Sequence, residues 1–295
     1  MEVYTACVFV IAMLANADQD MRIVDLTHAQ NIEAIYWPGN PSYNFTIFSR
    51  GQNAVGGFWY ESNSFATAEH GGTHLDAPAH FYENRSRTHQ IPMEKLVGRG
   101  VIINVKTKAS RNPDYRVTVD DLQNWEAKYG RIPNGAVVVM NSGWHQKYPN
   151  KTKVFGTEST TDPANFHFPG FHEKAADWLV KHRNIHVLGV DTPSIDYGQS
   201  KTFPVHVILG RADIPALENA ANLNAIPEFG SIISVAVIKL EDGSGGPARV
   251  FAMLQASQTN DCFIAHLNIR LLFIPIVILH VHLSKLTYET KHLPV

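Results

Sequence analysis

Polar and apolar residues alternate along Arg22-Ile23-Val24-Asp25-Leu26-Thr27, the period of a half-buried strand, and this run opens the folded part of the chain. Three apolar runs further on, Val101 to Val105, Val137 to Met140 and Ile185 to Val190, predict buried strands. Between them the period lengthens. Thr118 stands as an N-cap before a helix through Tyr129, with Asp120 and Asp121 in its first turn and Gly130 just past its end. A second helix runs from about Glu173 to His182. Strand, helix and strand in this order predict βαβ units and an α/β fold. Asp213 to Leu223 reads as a capped helix with Pro215 near its start; Leu217, Ala220 and Ala221 lie near one stripe, with Glu218 beside it. The last strands are Ile232 to Leu240 and Arg249 to Leu254, joined by the turn-rich Glu241-Asp242-Gly243-Ser244-Gly245-Gly246-Pro247. Two loops interrupt the pattern. Ile35 to Pro41 is spaced by Pro and Gly so that Trp37 either faces a cleft or plugs a core; Lys147 to Gly170 is either a lid or a solvated insertion.

The chain has 295 residues, 44% hydrophobic and 18% charged, enough for one sizeable core and one catalytic domain. A formal net charge of -2 and a pI near 6.7 leave no basic footprint for nucleic acid. The apolar run Val3 to Leu14 ends in Ala15-Asn16-Ala17, the small-x-small shape of a signal-peptidase site, although Glu2 and the lack of Lys or Arg before it depart from the usual leader. Residues 1–17 are therefore expected to be a secretory signal. The protein would then be secreted or held in the lumen of the secretory pathway, with sequons at Asn44, Asn84 and Asn150 as glycosylation sites. Cleavage removes Cys7 and leaves Cys262, so no intrachain disulfide forms. The folded domain spans 18–256. Residues 257–295 form an appended tail whose apolar stretch, Phe263 to Leu283, is a poor membrane span because His266, Asn268, Arg270 and Pro275 interrupt it.

The chemistry concentrates in Glu69-His70-Gly71-Gly72-Thr73-His74-Leu75-Asp76-Ala77-Pro78-Ala79-His80. His70, His74, Asp76 and His80 are separated by even numbers, so an extended chain projects all four to one side. Gly71, Gly72 and Pro78 argue against a helix, and Gly71 replaces the Glu that a helical HExxH site requires. Imidazole with carboxylate is a ligand set for zinc, manganese or iron. His206 lies in the apolar run Phe203 to Leu209; alone, it is either a core histidine or a ligand, and Glu218 either a solvated helix residue or a ligand. The Gly243 to Gly246 run lacks a Walker Lys, no dinucleotide glycine pattern occurs, and no G-x-S-x-G elbow supplies a serine nucleophile.

Together these residues resemble the metal-dependent cyclase-like amidohydrolases typified by bacterial kynurenine formamidase. The family signature His-x-Gly-Thr-His-x-Asp-x-Pro-x-His is matched by His70 to His80 at every fixed position. A later His followed by a Glu twelve residues on is matched by His206 and Glu218, and a Trp-Pro-Gly segment by Trp37-Pro38-Gly39. The resemblance covers about Arg22 to Leu254. It implies a single-domain α/β fold of the swivelling β/β/α type, homo-oligomers, and two divalent ions, Zn or Mn. His70, His74 and Asp76 would hold the first, His206 the second, with Asp76 and Glu218 bridging; His80 would shuttle protons, and Trp37 would line a pocket for an aromatic substrate.

The activity so implied is hydrolysis of an arylformamide, N-formylkynurenine to kynurenine and formate in tryptophan catabolism, by attack of metal-bound hydroxide. An imidazole titrates near neutral pH, which suits His80 to carry the proton to the leaving nitrogen. Two alternatives stand beside it. One is another cyclic amide such as isatin; the other is a secreted metal-binding protein without catalysis.

Overall fold

The computed structural model describes residues 21–255, so the expected signal at 1–17 and the tail at 257–295 lie outside the described residues. Twelve strands and five α-helices follow in order: β1 (Met21–Asp25), β2 (Asn44–Gln52), β3 (Trp59–Ala66), β4 (His74–Asp76), β5 (Val97–Asn104), α1 (Lys106–Arg111), β6 (Arg116–Val117), α2 (Val119–Tyr129), β7 (Ala136–Asn141), α3 (Lys151–Phe155), β8 (Gly170–Phe171), α4 (Glu173–His182), β9 (Ile185–Val190), α5 (Pro204–Arg211), β10 (Ala216–Glu218), β11 (Phe229–Val237) and β12 (Gly245–Gln255).

Eight of these strands make one mixed sheet in the order β1-β12-β11-β5-β7-β9-β10-β4, and β4 also pairs with β12, so the sheet closes on itself like a barrel. The parallel strands β5, β7 and β9 come from the expected βαβ units, and β10 joins them in parallel beside β9. Their apolar runs are unbroken because both faces are buried. Val101, Ile103, Val138 and Met140 pack under α2 and α4 against Leu122, Trp125, Ala176 and Leu179. Ile102, Val137 and Val139 point the other way and meet Leu75, Leu217, Ile233 and Val250 inside the barrel. The described residues thus form a single mixed α/β domain, as the resemblance implies.

Helix α2 begins and ends where the caps place it: Thr118 accepts the N–H of Asp121, the Asp121 carboxylate accepts the N–H of Thr118, and Gly130 closes the end. Residues 213–223 depart from expectation. They form no α-helix; Ala216–Glu218 is a three-residue strand held in the sheet between β9 and β4. Asp213 and Asn219 flank it at φ of +58° and +52°, left-handed conformations that a helix does not pass through. Sheet hydrogen bonds on both sides and burial of Leu217 outweigh the local helix preference.

The region Lys147 to Gly170 is neither a bare lid nor a solvated insertion. Phe155, Phe166 and Phe168 are fully buried in a satellite core with Ile35, Trp144 and Val154. β2 and β3 form a separate two-stranded ribbon whose Phe48, Phe58, Trp59 and Phe65 are exposed. Asn44, Asn84 and Asn150 are all exposed, and among the described residues no helix is long and apolar enough to cross a membrane.

Candidate metal centre

The even spacing expected across His70 to His80 holds for its central part. His74 and Asp76 lie two apart on β4, and Glu218 sits directly opposite His74 on β10, so all three share one face while Leu75 and Leu217 fill the barrel from the other. Only β4 is extended. His70 precedes it, past Gly71 and Gly72, and His80 ends a 3-10 turn, Pro78–His80, that follows Asp76. Gly72 takes φ +61°, and a Cβ on Gly71 would overlap the Tyr36 ring, so both glycines are needed for this entry to the strand.

His206 arrives from α5, in the turn that follows Pro204. Asp196 sets its position. The Asp196 carboxylate accepts the N–H groups of Val205 and His206 at 3.2 Å, closing the helix start, and accepts His206 Nδ1–H at 2.7 Å. Nε2 is thereby left as the lone-pair nitrogen, 3.1 Å from Glu218 Oε1 and 3.4 Å from Asp76 Oδ2. His74 is arranged alike. Its Nδ1–H donates to the Gly72 carbonyl at 3.0 Å, and Nε2 faces Asp76 Oδ1 at 3.2 Å and Glu218 Oε2 at 3.4 Å. His70 Nδ1 lies 2.6 Å from Asp76 Oδ1.

Two triads of ligand atoms result, His70 with His74 and Asp76, and Asp76 with His206 and Glu218, each within 4.8 Å. Asp76 belongs to both. The donor set fits divalent cations on two further grounds. His74 Nε2 and Asp76 Oδ2 are buried without a hydrogen-bond partner, an unfavourable state for polar atoms that a cation relieves. Burial alone would depress His74, yet Asp76 and Glu218 lift it to about 9, and Asp196, Asp76 and Glu218 likewise raise His206 against its burial, so the carboxylates draw positive charge to each Nε2, as a proton or as a cation on the lone pair. The Asp76 carboxyl is held well below its usual range, despite burial, by His70, His80 and His206. Two buried carboxylates are thus concentrated here, and the cavity lining has no Lys or Arg to balance them.

His80 stacks on His70, ring centres 3.8 Å apart, and is left out of both triads. Its ring is accessible from the cavity. The enclosing walls lower its pKa, Asp76 opposes the shift, and the imidazoles of His70, His206 and His74 reinforce it; solvent contact moderates the effect. Its pKa is thereby lowered to about 4, below the range of a free imidazole.

Above the ligands lies a cavity of about 330 Å³ walled by Ile35, Trp37, Phe81, Pro193 and Phe203. Trp37 is a wall residue braced from behind: it meets Phe166 edge-on at 5.4 Å and Phe203 at 6.0 Å. Both readings of Trp37 therefore hold, since it faces the cleft and packs on a core. Phe81 and Phe203 escaped the sequence reading, as did Asp196. The loop after β9 offered one signal, because sites in parallel sheets gather at the carboxyl ends of the strands.

A model of the putative cyclase family matches residues 24–197 of the chain. Isatin hydrolase of Roseibium aggregatum is 28% identical over 206 residues, 67% of this chain and 76% of that protein. Kynurenine formamidase of Geobacillus thermodenitrificans is 24% identical over 226 residues, 77% of this chain and 94% of that one. The solved structure of isatin hydrolase A from Ralstonia solanacearum superposes with a TM-score of 0.73 at 31% identity, covering 83% of this chain and 95% of that chain.

Proposed function

The chain belongs to the cyclase family, and from that premise we propose that it is a metal-dependent hydrolase opening the amide C–N bond of a small uncharged aryl amide, an isatin-type lactam. One observation carries the choice of substrate. The cavity over the ligand cluster is walled by Ile35, Trp37, Phe81, Pro193 and Phe203, and its lining contains no Lys or Arg. A flat neutral ring suits such a wall. N-formylkynurenine brings an α-carboxylate and an ammonium group, and the part of the lining outside the ligand cluster has no charged side chain to pair with either. The similarity to isatin hydrolase supports the same reading. Arylformamide hydrolysis is the second reading, supported by the similarity to kynurenine formamidase.

Divalent ions held by His70, His74 and Asp76, and by Asp76, His206 and Glu218, would supply Lewis acidity that acidifies water and neutralises charge building on the amide oxygen. The chain supplies the rest. Trp37, Phe81 and Phe203 hold the ring and exclude water from its faces. The neutral His80 ring accepts the proton of the attacking water at a ring nitrogen and returns it to the amide nitrogen as the C–N bond breaks. The His70 face beneath it limits how that ring can turn.

The test is a side-by-side assay of isatin and N-formylkynurenine with purified protein supplied with manganese or zinc. Opening of isatin at the higher kcat/KM is expected. Preference for N-formylkynurenine would establish the second reading, and hydrolysis of neither would return the protein to a metal-binding role.

A further inference from the structure

We infer that Glu69 and Ser244, which do not line the cavity, act as positioning residues that fix His70 with its proton on Nε2 and its Nδ1 lone pair turned to Asp76. The inference rests on the metal-centre reading above and concerns residues that no part of that reading uses.

The hydrogen positions follow from the donors. Glu69 Oε2 accepts the backbone N–H of Ser244 at 2.9 Å and of Gly245 at 3.2 Å, and lies 2.6 Å from Ser244 Oγ. An oxygen receiving two N–H groups acts as an acceptor, so the hydrogen in the short Oγ contact belongs to Ser244. Ser244 Oγ then has only lone pairs to offer His70 Nε2, 2.9 Å away. Two acceptors do not bond, so Nε2 carries the N–H. A histidine that ligates a cation is neutral and has one such hydrogen, so in the metal-bound centre Nδ1 is the lone-pair nitrogen, 2.6 Å from Asp76 Oδ1. That contact sets two lone pairs face to face, which a shared cation satisfies. His74 and His206 offer Nε2 instead, each with its Nδ1–H tied to an oxygen. His70 is the reversed member of the set.

Packing holds the ring in this sense. His80 covers one face at 3.8 Å, and a Cβ on Gly245 would collide with His70 Cε1, so only glycine admits the ring there. The turn carrying Ser244 is itself anchored. The Ser244 carbonyl accepts Ala77 N–H at 2.8 Å, and Thr88 bonds the carbonyls of Gly243 at 3.0 Å and Leu240 at 2.7 Å. The glycine-rich turn thus presents one hydroxyl and one bare stretch of backbone to His70.

The full chain, Ser244→Ala, Glu69→Ala and Glu69→Gln are compared by zinc competition against a chromophoric chelator. Outer partners of metal-bound histidines are worth roughly 10–100-fold in affinity. One zinc equivalent should weaken by about that factor in both alanine variants, and Glu69→Gln, whose amide oxygen still accepts, should recover most of the loss. The ¹⁵N spectrum of zinc-loaded wild-type protein with labelled histidine, His70 being assigned by the signal missing in His70→Asn, should report Nε2–H for His70; this reading survives even if the alanine variants fail to fold. An Nδ1–H signal, or unchanged zinc affinity in folded alanine variants, would overturn the inference alone. A wild-type protein that binds no zinc or manganese would overturn the metal-centre reading and this inference with it.

Discussion

Glu218 stands directly opposite His74 in the antiparallel pairing of β10 with β4, and its Oε2 lies 3.4 Å from His74 Nε2. The two residues are far apart in the chain, yet one cross-strand register brings both onto the face that carries Asp76. Glu218 also accepts the backbone N–H of Ile195 at 2.8 Å through Oε1, which ties the loop after β9 to the ligand cluster.

Removing this carboxylate should therefore do more than remove a ligand. Glu218→Ala is expected to lose at least one metal equivalent and to leave the buried Ile195 N–H without its acceptor, at a cost of roughly 1–3 kcal/mol. Metal content by elemental analysis and the denaturant midpoint check the two effects separately. Full metal occupancy in the variant would remove Glu218 from the ligand set.

His80 stands outside both triads, so its loss should separate binding from turnover. His80→Ala is expected to keep its metal and to lower kcat by about 10²–10⁴-fold, the usual span of a general acid–base group. Metal analysis beside steady-state kinetics measures this; near-normal kcat in a metalled variant would exclude the proton role.

Trp37 is expected to act on substrate affinity. Trp37→Ala opens the cavity wall and leaves Phe166 and Phe203 without their edge-on partner. A rise in KM of roughly tenfold is expected, in line with about 1–3 kcal/mol for one apolar contact in a pocket. An unchanged KM in a variant with a lowered denaturant midpoint would confine Trp37 to a packing role.

Acid stability should depend on a residue remote from the site. Burial would raise Asp121, but Lys108, the Thr118 N–H and Tyr115 Oη–H hold it below its ordinary 3.8. A depressed carboxyl stabilises the fold fully above its unfolded pKa and loses that contribution as pH falls through the folded value. The stability gap between wild type and Asp121→Asn should be constant from about pH 7 to 5 and close below about pH 4. Urea melts at several pH values test this, and a gap that widens in acid would reverse the sign assigned to Asp121.

Much of the framework was legible. Thr118 and Gly130 bounded α2 because caps act within one turn, and the run Val137 to Met140 marked a strand because both its faces are buried. Glu218 was legible as a residue and misplaced as an element: Asp213 and Pro215 imitate a helix start, and nothing local announces that two strands wait on either side of Ala216–Glu218. Asp196 and Ser244, single polar residues in loops, belong to no motif that names them. Their roles exist only where α5 and the β11–β12 turn come back to the ligands.

The sequence by itself determined the kinds of atoms in the centre and the common face of His74 and Asp76, because ligand chemistry belongs to the residue and a strand's period of two is local. Tertiary structure decided the rest. Closure of the sheet set Glu218 against His74, α5 brought His206 to Asp76, and the loops chose which nitrogen of each ring faces the centre. Register and return geometry are fixed by burial and hydrogen bonding between distant segments, and those are properties of the closed barrel rather than of any short stretch of chain.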